Sequence, residues 1–378
     1  MRRKIRIFIM VVFFFSLYYG MNYYVYRSML RGMDPGESLL WVIRGGFFLI
    51  GSLFVINQFL KRKTSIYWIS HYGNLWLGFI SIAIGAFLIR DVVMFFFRGA
   101  GEAVIAASTV IAMILAVGAS VYSVYNGRGL PVIRKIRIFS PKLKKGERIT
   151  VTQLTDIHIG YFSSKEWLRE TVKKANAIKS DVTVLTGDII DDPYKHIQDY
   201  APILGELEAE KGVYAIIGNH ELYTGVEEFH AFMEEAGIRT LRNERVKVDQ
   251  NLTVYGIDDF FKGTYYKSTM KLSEILADSD AERFNLLLAH QPVKFPEAVK
   301  LGMDLQLSGH THGGQIPPLE WIVKFYFKYP WGLYKEEDAH IYTSPGTGVW
   351  GPSMRFLSKN EITRFEIRGI GEDEKEGK

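Results

Sequence analysis

Four apolar runs fill the first third of the chain and leave it few ways to fold. They are Ile5–Tyr26, about Leu39–Leu60, about Ile66–Ile89 and about Ala103–Tyr125. Each reaches the roughly 20 residues that a helix needs to cross about 30 Å of hydrocarbon. Backbone polar groups find no partner in lipid, so such runs are expected as helices. Tyr and Trp gather near their ends (Tyr18, Tyr19, Tyr23, Tyr24, Trp41, Tyr67, Trp68, Tyr122, Tyr125), as in an interfacial aromatic belt. A buried helical core is the competing reading, and four successive runs with so few charges weigh against it. Arg44, His71 and Asn74 read as snorkelling or helix-packing groups. Arg90-Asp91 is expected to interrupt the third run before Val92–Phe97. No small-residue cleavage site follows Phe15, so the first run is expected to be retained.

Charge supports that division and gives it a direction. The net charge of +5 hides a split: residues 1–130 hold 13 basic and 4 acidic residues, leaving 33 basic and 37 acidic for the remainder. A single soluble globule is excluded, as is a largely disordered chain at 48% apolar content. Basic residues confined to the ends of apolar spans suggest membrane orientation rather than nucleic-acid binding. If all four runs cross, 15 Lys and Arg lie on one side, among them Arg2, Arg3, Lys4, Arg6, Lys61, Arg62 and Lys63. Four lie on the other: Arg27, Arg31, Arg90 and Arg98. The positive-inside rule then places the N-terminus and everything after the fourth run in the cytoplasm of a multi-pass cell-membrane protein. There is no cysteine, so disulfides, thiolate catalysis and Cys-ligated metals are excluded. Any metal site must use His, Asp, Glu, Asn and water.

The expected organisation is a transmembrane region over 1–127, a basic linker and domain entry over 128–148, and a catalytic domain over 149–378. From Ile149 short β-branched runs alternate with amphipathic helical stretches, an α/β or α+β pattern with helices covering sheets. Strands are expected at Ile149–Thr155, Val182–Thr186, Val213–Ile217, Leu252–Ile257, Asn285–Ala289, Leu305–Ser308, Ile341–Ser344 and Ile362–Ile367. Helices are expected near Ser164–Ile178, Tyr194–Ala209 and Val226–Ala236. In such folds, sites form beyond the carboxyl ends of strands. That is where the chemistry-bearing residues sit: Asp156 and His158, then Asp188 and Asp191, then Asn219 and His220, then His290, then His310 and His312. Imidazole, carboxylate and amide oxygen suit Zn, Mn, Fe, Co or Ni. A carboxylate shared by two ions about 3.5–4 Å apart would make a two-metal site for in-line displacement at phosphorus.

In order along the chain stand D-x-H (Asp156, His158), G-D (Gly187-Asp188), G-N-H-E (Gly218–Glu221), His290 and G-H-x-H (Gly309–His312). With these motifs the region Ile149–Ile367 resembles the calcineurin-like metallophosphoesterase superfamily. The resemblance implies a four-layer sandwich of two mixed sheets faced by helices, appended here to the four-helix region. It implies a metal-dependent phosphoric ester hydrolase with two divalent ions. Asp156, His158, Asp188 and His312 would hold the first ion; Asn219, His290 and His310, with the bridging Asp188, the second. It implies that His220 faces the leaving oxygen and that Asp191 orients it. Asp192 stands where protein Ser/Thr phosphatases of the superfamily carry a phosphate-binding Arg, which argues against that branch. His312–Gln315 and Gly346–Pro352 are more similar to bacterial membrane-associated members, among them UDP-diacylglucosamine pyrophosphatase-like enzymes. The expected partners are a phosphate-ester substrate, which the membrane context makes lipid-linked, and the bilayer. A soluble nucleotide or small diester as substrate, or a catalytically silent membrane sensor, are the alternatives. The aromatic segment Leu319–Tyr334 reads either as an interfacial flap or as packing against the core.

Overall fold

A computed structural model describes residues 2–60, 67–161, 163–259, 271–277 and 279–370. The basic residues Lys61, Arg62 and Lys63, and Ile66 at the start of the third run, lie outside it. The chain forms two compact units.

The first is helical: α1 (Arg2–Met29), α2 (Gly36–Leu60), α3 (Tyr67–Phe96) and α4 (Glu102–Gly127). All four are long and apolar enough to cross a membrane. Val25, Ile80, Ala83, Phe87, Ala112 and Ala116 form a small interior, while Phe13, Phe48, Phe96 and Ile114 face outward. An apolar exterior of this kind suits hydrocarbon as solvent. Arg90-Asp91 does not interrupt α3, because its charges are satisfied within the unit. Arg90 donates to Thr109 Oγ1 at 2.8 Å and pairs with Asp91 at 2.7 Å. Asp91 also accepts from Tyr24 at 2.8 Å and Arg31 at 2.9 Å. Two later segments, Gln315–Glu320 and Gly351–Leu357, belong to this unit. The Ser81 hydroxyl donates to the Pro317 carbonyl. Asn126 Nδ2 donates to Arg355 O, and Arg355 N to Ser123 O, both at 2.8 Å. Ile316 and Met354 pack with Ile82.

The second unit holds two six-stranded mixed sheets. One contains β1 (Val132–Ser140), β2 (Arg148–Leu154), β3 (Val182–Leu185), β4 (Val213–Ala215), β5 (Arg239–Thr240) and β12 (Glu361–Gly369), ordered β1-β12-β2-β3-β4-β5. The other contains β6 (Glu244–Lys247), β7 (Leu252–Gly256), β8 (Phe284–Leu288), β9 (Leu305–Ser308), β10 (Gly332–Glu336) and β11 (Ala339–Thr343), ordered β10-β11-β9-β8-β7-β6. Strand alternation builds the layers. Ile149, Val151, Val182 and Val184 of the first sheet meet Leu252, Val254, Leu286, Leu288 and Leu305 of the second in one buried cluster. On the other face of the first sheet, Leu154, Leu185 and Ala215 bury Leu168 and Val172 of α5 (Lys165–Asn176) and Phe229 and Phe232 of α9 (Val226–Glu235). On the other face of the second, Tyr255, Leu287 and Ala289 pack with Leu272 of α10 (Leu272–Ile275) and Ala298 of α11 (Phe295–Lys300). Helix, sheet, sheet, helix is the expected four-layer sandwich.

Two further expectations are corrected. Residues 132–140, read as linker, are the edge strand β1, parallel to β12 along its whole length. Their exposed Arg134, Lys135 and Arg137 hide a strand from pattern reading and discourage edge-to-edge pairing with another chain. The helix near Tyr194–Ala209 is broken into α6 (Tyr194–Ile197), a short 3₁₀ turn and α7 (Ala201–Leu204). Pro202 has no N–H to continue the ladder and starts a new turn.

Candidate metal centre

Parallel neighbours β2, β3 and β4 of one sheet and β8 and β9 of the other deliver the polar residues to a common end. Asp156 and His158 follow β2, Asp188 follows β3, Asn219 opens α8 (Asn219–Thr224) after β4, His290 follows β8, and His310 and His312 follow β9. Two groups of ligand atoms gather within 4.8 Å of one another: Asp156, His158 and His312, and Asp188, His290 and His310. A third group, His158, Asp191 and His220, joins the first through His158.

The geometry fits metal ligation by an independent sign. Asn219 Oδ1 and His290 Nε2 are buried without a hydrogen-bond partner, a costly state unless something binds them. His290 Nδ1 donates to Thr186 O at 2.8 Å. That fixes the tautomer and leaves Nε2 at 3.1 Å from Asp188 Oδ2. His158 Nε2 and His312 Nε2 face each other at 3.0 Å. Burial first, and then His290, push His310 down to about 3, so its ring is neutral and free to ligate.

The backbone is bent to bring these groups together. Asp156, His158, Asp188, His310 and His312 all have φ between 51° and 69°. Left-handed backbone in non-glycine residues costs on the order of 1–2 kcal/mol each, and its concentration at one place marks a functional site. Two glycines permit the approach: a Cβ at Gly218 would collide with Asp188, and one at Gly309 with Asp156.

Two further carboxylates, Asp191 and Glu221, hold the loops. Asp191 Oδ1 accepts from His220 Nδ1 at 2.7 Å and from His158 Nδ1 at 2.8 Å. One oxygen therefore orients both a candidate ligand and the candidate acid. Burial would raise Asp191, but His158 and His220 hold it well below the usual carboxylate range. Burial likewise would lower His220, but Asp191 and Asp188 keep it up to about 9. The second carboxylate, Glu221, was visible only as the last letter of G-N-H-E. Its Oε1 accepts from the backbone N–H of Ile189 (2.6 Å) and Ile190 (3.0 Å). Its Oε2 accepts from Asp188 (3.0 Å) and Gly218 (2.7 Å). Fully buried, it ties the Asp188 loop to the Asn219 loop. Asp192, in the place of the phosphatase Arg, accepts the Tyr161 N–H at 2.7 Å, a loop-holding contact.

Glu221→Gln would turn an amide N–H₂ toward backbone donors and leave at least one of them unpaired. A buried unsatisfied donor costs about 1–3 kcal/mol, and supporting groups typically set metal affinity by about 10–100-fold. Thermal unfolding should fall and metal affinity should drop within that range; unchanged affinity would limit Glu221 to folding.

Comparison with known proteins agrees with this geometry. Residues 149–314 match the model of the family described as calcineurin-like phosphoesterase. An uncharacterized metallophosphoesterase of Aquifex aeolicus is 33% identical over 242 residues, 63% of this chain and 92% of that protein. A Danio rerio "transmembrane protein with metallophosphoesterase domain" is 30% identical over 323 residues, 78% of this chain and 74% of that protein. The chain spans 65% of the length of an uncharacterized Helicobacter pylori metallophosphoesterase to which it is 32% identical. Among solved structures, a dimetal phosphatase from Danio rerio aligns with a TM-score of 0.36 at 13% identity, over 52% of this chain and 86% of that one. The chain belongs to the calcineurin-like metallophosphoesterases.

Proposed function

We propose that this is a membrane-bound, two-metal phosphoesterase that hydrolyses a phosphate ester or pyrophosphate of a lipid-linked substrate at the cytoplasmic interface. The observation that carries the reading is the pair of ligand clusters at the strand ends of a chain whose other unit is four apolar helices. Asp156, His158, Asp188 and His312 would hold one divalent ion; Asp188, Asn219, His290 and His310 the other. Mn, Zn or Fe suits these donors. Bound there, such a pair supplies an activated water and neutralises charge on the transferring phosphoryl group.

The remaining chemistry belongs to side chains. Asp191 accepts the Nδ1 proton of His220, which fixes the ring and leaves Nε2 at 3.9 Å from Asp188 Oδ2, facing the ligand cluster. A doubly protonated His220 can give its Nε2 proton to the departing oxygen while Asp191 steadies the cation. Tyr223 and Trp350, both about half exposed, set their rings at 5.5 Å and 6.3 Å from His220. They give the leaving-group side an apolar rim.

Three outcomes are expected. Asp188→Asn should lose both ions and the activity in metal analysis of purified protein; full occupancy would refute a bridging carboxylate. His220→Ala should keep both ions and lose on the order of 10²–10⁴ in rate, less for esters with very good leaving groups; an equal loss for all esters would point to electrostatic or structural damage. A C-terminal reporter that fluoresces only in the cytoplasm should light up, and an exported enzyme reporter at the same position should stay silent. The substrate class itself is tested in detergent with Mn²⁺, comparing a lipid pyrophosphate, a phospholipid and bis-p-nitrophenyl phosphate. Preference for the soluble diester would remove the lipid from the reading.

A further inference from the structure

We infer that the helix following the last metal motif is a bilayer-docking element, seated in an anionic headgroup layer; the inference deepens the lipid-substrate reading above and rests on it. The helix is α12 (Leu319–Tyr326), Leu-Glu-Trp-Ile-Val-Lys-Phe-Tyr, and none of its side chains is buried. Trp321 is 76% exposed, Ile322 57%, Phe325 95% and Tyr326 78%. A water-soluble surface rarely gathers four large apolar groups on two helical turns without a partner.

Three observations commit the partner to a bilayer. The first is continuity. The segment leading into α12, Gln315–Pro318, and its first residues Leu319 and Glu320 belong to the helical unit, where Ile316 and Leu319 pack with Ile82 of α3. Trp321, the first exposed aromatic of α12, thus follows directly in the chain after residues of the apolar unit. The second is the kind of side chain. Trp and Tyr combine an apolar ring with a polar tip and favour the membrane–water boundary. The third is charge. Lys324 stands solvent-exposed among the aromatics, while Lys328 is already paired with Glu336. Lys324 lies over the Trp331 ring at 4.9 Å, which leaves its ammonium beside the apolar face. Basic groups of this kind are drawn to anionic lipid.

The placement matters because the helix runs into the metal centre. Phe327, the next residue after α12, packs its ring edge-on against candidate ligand His310 at 5.7 Å. Tyr326 touches Phe327 at 5.0 Å. Side chains seated in headgroups are thus one residue from a ring that borders the ligand cluster. Docking would hold the centre at the depth of a lipid phosphate.

The lack of cysteine in the chain makes a site-specific test direct. Phe325→Cys carries a polarity-sensitive nitrobenzoxadiazole label in the full-length protein, reconstituted in vesicles with or without phosphatidylglycerol. Glu166→Cys on α5 is the control. The Phe325 label should shift to the blue and be quenched by nitroxide-bearing lipid more than by iodide loaded on both sides, more strongly with phosphatidylglycerol. The Glu166 label should be quenched by iodide. Iodide quenching at both positions would overturn the inference, as would protection of the Phe325 label that appears only with rising protein density, the sign of a second copy. A Trp321→Ser/Phe325→Ser variant should lower hydrolysis of a bilayer-embedded phosphate ester at least about tenfold and leave a soluble p-nitrophenyl ester unchanged; a parallel fall of both would count against docking. If the label inserts but the wild-type protein cleaves the soluble ester alone, the docking helix stands and the lipid-substrate reading falls.

Discussion

Asp188 is the point at which the site's constraints meet. One carboxylate oxygen accepts the His220 N–H at 2.8 Å, and the other lies 3.1 Å from His290. Its own N–H is held by Glu221, its backbone is left-handed, and Gly218 is pressed so close that no side chain would fit. An Asp this buried and surrounded by imidazoles stays ionised only because cationic or polarised groups face it from both sheets. Burial would raise its affinity for a proton, yet His290 and His220 hold it well below the usual carboxylate range. A divalent ion would serve the same electrostatic purpose, and this is why ligand clustering, orphaned Asn219 Oδ1 and strained backbone occur together. The strain is stable because the strands behind it are not free to move. Val151, Val184, Leu286 and Leu305 are fully buried between the sheets, and packed interiors resist small displacements.

Legibility in the sequence followed residue type. Metal-ligating side chains cannot be replaced by other chemistry, so Asp156, His158, Asp188, Asn219, His290, His310 and His312 could be picked out as candidates, and the structure gathers six of them into two clusters. Long apolar spans and β-branched strands were readable for the same reason: burial leaves few substitutes. What could not be read depends on distance through space. Glu221 looks like any helical glutamate until the β3 and β4 loops converge on it. The second duty of Asp191, toward His158, needs two loops 33 residues apart to meet. Three of the nine residues of strand β1 are basic, because an edge strand with one solvated face tolerates them, and pattern reading scores that as linker. Pro202 was visible, but its consequence is local to a turn, and a helical apolar pattern masked it.

Two loops that carry site groups run straight on into the helical unit. His312 ends a ligand motif, and Gln315, three residues on, already belongs to that unit. Trp350 stands beside His220, and Gly351, the next residue, belongs to it as well. Both loops that carry site groups thus continue directly into segments whose partners are Ser81, Ile82, Ser123 and Asn126. Removing the first 128 residues would strip those partners away. Ile316 and Met354, each about 2% exposed or less, would meet water, and the fully buried Arg355 would lose the carbonyl that accepts its backbone N–H. Unpaired backbone donors and newly wetted apolar groups are costly enough to remodel both loops. A drop in activity of a sandwich released from its helices would therefore report loss of this loop support as well as loss of the helices themselves. Substitutions on the outer face of α12 avoid that confusion, because Phe325 is 95% exposed.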